Sequence, residues 1–331
     1  MSSAGGGPGA AIVSVYDPDA GRAAAFARDF AGGDPAVVAA GVDEVIERSD
    51  AVYVCTWTSE HPALVADVAG AGRAVFCEKP LAVDLATARE MVRVVERAGV
   101  INQVGLVLRS VPGFALVRHL LTRPEAGRLS TVVFRDDQDL PVGNSYGSTW
   151  RGDRARAGAG TLLEHSIHDL DLLEWMCGPL AVLSAHRDNL HGLDGIEDTV
   201  SVSFRFRSGG TGVLTSTWHD VPGRGSNRRF ELFTERARFE TEGNAAEAVR
   251  WQHHAAELHQ ATVPEQTALA TTHGLVVPGN ADVAFIDAVR AGRPAHPDFR
   301  VVLRAHELVD AVYRSADADG APVFLPDASD G

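Results

Sequence analysis

The amino-acid sequence predicts an α/β protein of two parts, in which a parallel sheet with helices is followed by a large, mostly antiparallel open sheet. From residue 12 to about residue 105, short β-branched runs alternate with alanine-rich helical stretches, and this alternation is typical of βαβ units. After about residue 129 the runs lengthen and alternate apolar with polar residues, which favours antiparallel strands. We therefore predict one domain at residues 1–111 and a second at residues 112–331.

The first part supplies the parallel strands and the helices between them. The apolar runs are IVSVY, AVYVC, AVFC and INQVG, at residues 12–16, 51–55, 74–77 and 101–105. Helical stretches are predicted at residues 19–30, 59–71 and 84–98. Because parallel sheets bind ligands beyond the carboxyl ends of their strands, the residues that follow these runs are the first candidates for chemistry.

The second part shows strand-like alternation most clearly in TVSVSFRF, at residues 199–206. One face of that strand carries Val200, Val202, Phe204 and Phe206, and the other face carries Thr199, Ser201, Ser203 and Arg205. We predict further strands at residues 211–218, 229–234, 236–241 and 247–252. Helices are predicted at residues 161–176, 280–291 and 299–315. The last of them is expected to pack back toward the first part.

Composition and charge argue against several classes of protein. The chain has 331 residues, is 45% hydrophobic and 22% charged, and carries a net charge of −14, which disfavours binding to nucleic acid or to an anionic membrane. Cys55, Cys77 and Cys177 are too few and too scattered for a disulfide framework or a C-x-x-C metal site. The sequence contains no apolar run of about 18 residues and no signal-peptide pattern, so we predict a cytoplasmic protein.

Polar side chains follow three of the predicted strands. Asp17 ends the first run, where a carboxylate can accept both ribose hydroxyls of an adenosine and repel a 2′-phosphate; alternatively, Asp17 or Asp19 caps the next helix. Lys79 follows Glu78 at the end of the third run, and the proline after it favours an extended backbone at Lys79; alternatively, it is an exposed lysine in a turn. The second run ends in a loop that contains Thr56, Trp57, Ser59 and His61. Ser59 could also cap a helix, with His61 in its first turn.

A buried helix in the second part carries three ionisable residues on one face. In GAGTLLEHSIHDLDLLEWMCG, at residues 158–178, apolar residues surround most of the predicted helix. Glu164, His168 and Asp171 are spaced so that they share one side. Burying such groups is costly unless they are paired or functional, so they indicate either a catalytic site or an internal hydrogen bond. The H-E-x-x-H pattern is absent, and we predict no metal site.

In combination, these segments resemble the glucose-fructose oxidoreductase/inositol dehydrogenase family, often called Gfo/Idh/MocA. The resemblance runs, in the family's order, through DAVYVCTWTSEHPALV, AVFCEKPLAVDLATARE, QVGLVLRSVP, WRGDRARAGAGTLLEHSIHDLDLLEWMCG and AFIDAVRAGRPAHPDFRVVLRAHELVDAVYRSA. It implies an N-terminal Rossmann domain and a second α/β domain whose open sheet carries substrate contacts and oligomer interfaces. It also implies that Lys79 and His168 are the catalytic pair, with Glu164 where members often carry aspartate. Trp57 stands where many members have proline.

This resemblance implies an NAD(P)-dependent enzyme that transfers a hydride between nicotinamide and a carbinol carbon of a sugar, cyclitol or related polyol. NAD is the expected cofactor, with NADP possible, and a homodimer or homotetramer is the expected assembly. His168, with an ordinary pKa of about 6.5, would accept the hydroxyl proton, and Lys79 would stabilise negative charge on the same oxygen. Glu164 would hold or polarise the site, and Asp171 would orient His168 or bind a second hydroxyl. Further candidates are Arg109 and Trp150 for the substrate, and Asp17, Thr56, Trp57, Ser59, His61, Glu78 and Lys79 for the cofactor.

The glycine-rich start adds a complication. Gly5, Gly7 and Ala10 match G-x-G-x-x-G/A, but they precede the first predicted strand instead of following one. Because IVSVYD resembles the family's second strand, we expect the first strand, its glycine-rich turn and most of the first helix to be missing, about 25 residues in all. Either the start has been set too far downstream or the chain is naturally truncated. Two alternative functions remain open. The first is a glycosidase that uses the same cofactor for a transient oxidation, as some relatives of this fold do. The second, which the missing segment suggests, is a truncated, non-catalytic binding or regulatory protein.

Overall fold

A three-stranded parallel sheet forms the first part of the computed structural model, which describes residues 10–143, 148–275, 277 and 280–327. The strands, in spatial order, are β1 (Ala51–Val54), β2 (Ala74–Cys77) and β3 (Asn102–Val104). The helices of this part are α1 (Ala20–Phe30), α2 (Val42–Arg48), α3 (His61–Gly70) and α4 (Leu85–Ala98). The central strand β2 is buried along its whole length, as a parallel strand covered on both faces should be. The predicted βαβ pattern is confirmed for these strands and helices.

The prediction that residues 12–16 form a strand of this sheet is wrong. Only Val15 forms a bridge, with Val38, through hydrogen bonds from Val15 N to the Val37 carbonyl and from Ala39 N to the Val15 carbonyl, both 2.8 Å long. Within the described residues this bridge is the segment's only strand pairing, so a single rung forms instead of a ladder. Gly5 and Gly7 of the glycine pattern lie outside the described residues.

A nine-stranded sheet dominates the described residues of the second part, with the order β11-β10-β9-β8-β4-β7-β6-β5-β12. Neighbouring strands are antiparallel except β4 and β7, which are parallel. The strands are β4 (Leu129–Asp139), β5 (Leu180–Asp188), β6 (Thr199–Phe206), β7 (Thr211–His219), β8 (Asn227–Thr234), β9 (Ala237–Glu242), β10 (Ala248–His253), β11 (His259–Thr262) and β12 (Val323–Phe324). The alternation predicted for β6 is confirmed, because the face with the valines and phenylalanines is buried. The predicted large, mostly antiparallel open sheet is therefore confirmed.

Helices cover one face of this sheet and connect it to the first part. They are α5 (Pro112–Leu121), α6 (Arg154–Ala157), α7 (Ile167–Cys177), α8 (Val263–Thr272), α9 (Ala281–Arg290) and α10 (Phe299–Asp317). The single helix predicted at residues 161–176 is corrected, because a π-helical turn at Leu162–Ser166 precedes α7. None of the helices in the described ranges combines the length and the apolar character that a bilayer crossing requires.

Helix α9 covers a face of the parallel sheet, although it belongs to the second part of the chain. The Asn280 side chain caps its first turn by accepting from Asp282 N at 2.7 Å. Its fully buried Phe285 packs edge-on against Phe76 of β2 and Tyr53 of β1, with ring centroids 5.7 Å and 5.4 Å apart. Burial of one such phenylalanine contributes about 1.5–3 kcal/mol, so α9 ties the two parts together.

Helix α10 makes the second connection between the parts. It packs against α4, α7 and β5, as expected for the predicted helix at residues 299–315. Asp298 caps it by accepting from Arg300 N and Val301 N. Its first residue, Phe299, donates its backbone N–H to Asn102 Oδ1 of β3 at 2.9 Å. The start of β3 is therefore held by the second part of the chain.

Acidification is expected to destabilise the protein through His306 of α10. This side chain is 1% exposed, its Nε2 has no partner among the described residues, and burial lowers its pKa to about 4. Because an unfolded histidine has a pKa of about 6.5, the unfolded chain binds this proton first as the pH falls. The free energy of unfolding should therefore decrease below about pH 6.5 and lose about 2 kcal/mol by about pH 5.

Urea unfolding at neutral pH and at about pH 5 measures this effect. Between the two pH values, the free energy of unfolding should fall by about 2 kcal/mol less in His306→Gln than in the wild type. This difference should hold whatever the stability of the variant at neutral pH. His254→Gln, at an exposed position, is the matched control and should keep the wild-type dependence. Equal pH dependence in the wild type and His306→Gln would contradict the assignment.

Candidate active site

Lys79 joins the two parts of the chain at the carboxyl end of β2. Its Nζ donates a hydrogen bond to the main-chain carbonyl of Glu164 in the π-helical turn. Burial lowers the pKa of Lys79, and the carboxylates of Glu164 and Glu78 oppose this effect. Lys79 is also the only lysine in the sequence. The other long basic side chains of the sequence are all arginine. A lysine ammonium, which is compact and whose pKa shifts readily on burial, therefore occurs only at this position.

The Glu164 carboxylate is engaged by residues that the sequence did not single out. It is 1% exposed; its Oε1 accepts from Thr58 Oγ1 at 3.0 Å, and its Oε2 accepts from Arg151 Nε at 3.1 Å. Lys79 is therefore bound by the backbone of Glu164, while the side chain of Glu164 is bound by Thr58 and Arg151. Arg151 lies in the segment WRGDRARAGAG, but its partner is 13 positions away, and no local pattern reveals it.

Glu197 explains why the chain forms a π-helical turn at this point. Its buried carboxylate accepts from Gly160 N at 2.9 Å and from Leu162 N at 3.1 Å, and Tyr313 donates its hydroxyl to it at 2.9 Å. A Cβ at Gly160 would lie 1.8 Å from the Glu197 carbonyl oxygen, so only glycine permits this approach. The start of the π-helical turn is thus fixed from outside the turn itself. Single π-helical turns of this kind occur frequently at functional sites.

His168 lies on α7, just after this turn, and is 7% exposed. Its Nδ1 is buried and has no hydrogen-bond partner among the described residues. Burial, together with the positive charges of Lys79 and Arg228, lowers the pKa of His168 well below its usual range. The imidazole is therefore neutral near pH 7, which is the form that can accept a proton. The structure thus joins Lys79 to Glu164 and places His168 within reach of the Lys79 charge, and a shared catalytic role for the three stays a prediction.

Asp171 pairs with Arg109. Arg109 Nε and Nη2 donate to its two carboxylate oxygens at 2.8 Å and 2.6 Å, and the pair is largely buried. Arg109 also lies over the Trp175 ring, 5.8 Å from its centroid. Two residues predicted for the substrate pocket thus bind each other across the boundary between the parts. Their contact with substrate stays a prediction, and the structure gives Asp171 this partner in place of His168.

The loop after β1 contains four residues predicted to contact the cofactor. His61 is 1% exposed, and its ring nitrogens lie 3.0 Å from the Pro80 carbonyl and 3.3 Å from the Thr56 carbonyl. It therefore holds the loop after β1 against the loop after β2. Trp57 is 37% exposed, and the Arg156 guanidinium lies 3.9 Å from its ring centroid. Ser59 does not cap α3; its hydroxyl donates to Glu60 at 3.3 Å.

The structure shows which of Asp17 and Asp19 caps the next helix. Asp19 caps α1 by accepting from Gly21 N and Arg22 N. Asp17 Oδ1 accepts from Asp19 N at 2.8 Å, which makes Asp17 part of the turn. The described residues provide no hydrogen-bond donor for its Oδ2, so that oxygen can still accept from a ligand.

Two further predicted residues lie beside this set. The Glu78 carboxylate accepts from Lys79 N at 3.1 Å, and burial raises its pKa. It lies against Gly105, where a Cβ would come 2.7 Å from Glu78 Oε2, so it occupies the ends of both β2 and β3. Trp150 begins a 3-10 turn at Trp150–Gly152, and the Arg151 guanidinium lies 4.3 Å from its ring centroid.

A buried charge cluster anchors α7 on the large sheet. Arg228 of β8 donates from Nε to Asp169 Oδ1 at 2.8 Å, and its Nη2 lies 3.5 Å from Asp136 Oδ2 on β4. Asp136 also accepts from Ser166 Oγ at 3.1 Å. Burial, and then the charge of Asp169, raise the pKa of Asp136 well above its usual range. In the described ranges, no group of three or more His, Cys, Asp or Glu side chains is placed to bind a metal ion.

Comparison with known proteins supports both parts of this description. Residues 4–106 match the family described as "Oxidoreductase family, NAD-binding Rossmann fold", and residues 114–240 match the "GFO/IDH/MocA C-terminal domain". The chain resembles levoglucosan dehydrogenase in complex with NADH, with a TM-score of 0.82 over 96% of this chain and 91% of that one, at 19% identity. At that identity the likeness concerns the fold.

Curated relatives show the same membership at the level of sequence. The 1,5-anhydro-D-fructose reductase of Ensifer adhaerens is 32% identical to this chain. The match covers 64% of this chain and 62% of that relative's length. The myo-inositol dehydrogenase Hyg17 of Streptomyces leeuwenhoekii is also 32% identical, over 70% of this chain and 69% of its own length. The order of the motifs, the two-part fold and these matches agree, and the chain belongs to the Gfo/Idh/MocA oxidoreductase family.

Proposed function

We propose that this protein is an NAD-dependent oxidoreductase that transfers a hydride between nicotinamide and a carbinol carbon of a sugar, cyclitol or related polyol. The observation that carries the proposal is the meeting of Lys79 with the segment that bears Glu164 and a neutral His168. Relatives named for reactions of inositols and an anhydrosugar support the substrate class. We assign the dinucleotide to residues 1–111, and the substrate sheet and assembly surface to residues 112–331.

The side chains present fit such a cofactor and substrate. Asp17 keeps one carboxylate oxygen without a donor among the described residues, which suits a ribose hydroxyl. At the other end, the buried Nδ1 of His168 has no partner within the described ranges, so that nitrogen is not engaged in an internal hydrogen bond there. Bound NAD supplies the hydride acceptor.

Proton transfer and charge stabilisation fall to Lys79 and His168. As the hydride leaves the carbinol carbon, the hydroxyl O–H bond breaks and its proton passes to the neutral imidazole of His168. The Lys79 ammonium donates a hydrogen bond to the same oxygen and stabilises its developing negative charge. The Glu164 carbonyl, fixed through the Thr58 and Arg151 contacts of its side chain, orients that ammonium.

A direct test incubates the protein with NAD and a panel of polyols that includes myo-inositol and levoglucosan, and follows NADH absorbance. We expect NADH to form with at least one polyol, and the Lys79→Met variant serves as the inactive control. Retention of NADH on the protein without net release would favour the glycosidase alternative. Absence of turnover in both directions, with NADH and the matching ketones as well, would contradict the proposal.

Cofactor preference should depend on Asp17. Its carboxylate would face the 2′-phosphate of NADP with like charge, so kcat/KM should be higher with NAD than with NADP. Asp17→Ala should narrow that ratio by about tenfold, equivalent to about 1.4 kcal/mol. Asp19→Ala is the matched control, because it removes the α1 cap and should leave the ratio unchanged. An NAD/NADP ratio that is the same in the wild type and Asp17→Ala would restrict Asp17 to the turn.

Assembly through the uncovered face of the large sheet is the expected oligomeric arrangement. Val133 and Val213 are paired across β4 and β7 and are 47% and 41% exposed, and Phe233 of β8 is 39% exposed on the same face. Exposed apolar side chains grouped on a flat sheet favour a symmetric partner. Light scattering at micromolar concentration should give a dimer or tetramer, which Val133→Asp dissociates and Val283→Asp on α9 leaves intact. A wild-type monomer would contradict this arrangement.

A further inference from the structure

His165 immediately follows Glu164 in the π-helical turn and has a partner that defines its protonation. Trp218 Nε1 donates a hydrogen bond to His165 Nδ1 at 2.8 Å, with the two rings nearly perpendicular. Trp218 is 1% exposed and lies in a small apolar cluster with Ala157 and Ile196. The donor is therefore held rigidly by its surroundings.

This contact fixes the tautomer of the imidazole. An indole N–H can only donate, so His165 Nδ1 must present its lone pair. A neutral imidazole has one proton, which must then be on Nε2. Burial, together with the positive charges of Lys79, Arg228 and Arg151, lowers the pKa of His165 well below its usual range. The ring is thus a neutral Nε2–H donor near pH 7.

The Nε2–H group has no protein acceptor in the described part of the chain. Buried and half-buried N–H groups are normally paired, and His165 remains partly accessible. His165 directly follows Glu164 in the π-helical turn, and the Glu164 main-chain carbonyl accepts the hydrogen bond from Lys79 Nζ. The donor therefore lies one residue from the group that binds Lys79, with a lone-pair oxygen as its missing partner.

We propose that His165 is a specificity-determining residue whose Nε2–H binds a substrate oxygen adjacent to the one that Lys79 and His168 act on. The inference rests on the proposed function, and the group recognised is a hydroxyl or ether oxygen on the neighbouring carbon of the polyol. A substrate that lacks this oxygen leaves the N–H unpaired, which costs about tenfold or more in kcat/KM. Trp218 acts through His165 as a positioning residue.

The tautomer is measured without any turnover, by ¹⁵N NMR of protein labelled at histidine. His165→Gln identifies the resonances by their loss. We expect the Nε2–H tautomer in the wild type, and a shift toward a mixture of tautomers in Trp218→Phe. A protonated ring or an Nδ1–H tautomer near pH 7 would overturn the proposal, even if the enzyme is active.

The substrate contact is measured with the polyol that gives NADH in the screen, and with its derivative deoxygenated at the neighbouring carbon. His165→Leu should raise KM about tenfold or more with a smaller change in kcat, and should no longer discriminate between the two compounds. His165→Gln, which places an amide donor near the same point, should recover part of the loss. His254→Gln, at an exposed position, is the control.

The outcomes separate this proposal from the proposed function. Turnover by the wild type with unchanged KM and unchanged discrimination in His165→Leu would overturn the role of His165 alone. If no polyol is oxidised, NMR titration with NADH and myo-inositol still applies. Binding that perturbs other histidines and leaves His165 Nε2 unmoved would then count against the contact, whereas the missing turnover would count against the proposed function.

Discussion

Replacing either member of the proposed catalytic pair, Lys79 and His168, is expected to abolish most of the turnover. Lys79→Ala should lower kcat about 10²-fold or more, because one preorganised donor to the developing alkoxide is lost. His168→Ala should lower it about 10²- to 10⁴-fold, because the proton acceptor is lost. Neither change should alter NAD affinity much, since both groups act on the substrate oxygen. The double variant should lose less than the product of the two effects, because both residues serve one oxygen.

The pH profile gives this prediction a second readout. Oxidation of an alcohol needs neutral His168, and burial with the nearby charges of Lys79 and Arg228 lowers its pKa well below its usual range. Activity should therefore persist below about pH 6.5, the usual pKa of histidine, and fall only as the lowered pKa is approached. His168→Ala should remove that acidic limb. Near-wild-type turnover in either single variant would exclude that residue from the chemistry.

Lys79→Arg is the sharpest variant of the pair. It keeps a positive charge but replaces the compact ammonium with a planar, always protonated guanidinium, so it should be nearly as inactive as Lys79→Ala. Because Lys79 is the only lysine, reductive methylation with a ¹³C label reports its pKa with the N-terminal amine as the only other target. A pKa at or above the ordinary lysine value would contradict the burial described for Lys79.

The elements that were predicted correctly are those whose cause is local. The alternation in β6, the helices predicted at residues 280–291 and 299–315, and the apolar runs of β1 and β2 are all set by neighbours in sequence. Lys79 and His168 were singled out in the same way, because each is a polar residue in a local setting that makes it conspicuous, and their catalytic roles stay a prediction.

The features that were missed have distant causes. The start of the π-helical turn is held by Glu197, whose carboxylate accepts a hydrogen bond from Leu162 N, 35 positions away. The partner of Asp171 is Arg109, 62 positions away, and the partner of His165 is Trp218, 53 positions away. A period of 3.6 residues predicts which side of a helix a residue occupies and says nothing about which strand or loop faces it. The segment at residues 12–16 failed for a related reason, since a strand needs a paired neighbour as well as β-branched residues.

The largest expected loss of stability comes from Arg228→Met. Arg228 is the cation between Asp169 and Asp136, which are both fully buried. Its removal would leave the Asp169 carboxylate without a counter-charge, and breaking a buried pair in this way costs about 3–5 kcal/mol. Because Asp169 and Ser166 position α7 and the π-helical turn, the same change should also displace His168 and lower kcat.

Chemical unfolding of three variants separates charge from packing in this cluster. Arg229→Met is the matched control, since Arg229 is the next residue of β8, is 48% exposed in its side chain and lies 3.4 Å from Glu240; it should cost at most about 1 kcal/mol. Asp136→Asn should be tolerated better than Asp169→Asn, because Arg228 hydrogen-bonds Asp169 at 2.8 Å but lies 3.5 Å from Asp136. Two outcomes would show that the cluster is not the charged anchor of α7. One is a similar loss of unfolding free energy in Arg228→Met and Arg229→Met, and the other is an equal loss in the two asparagine variants.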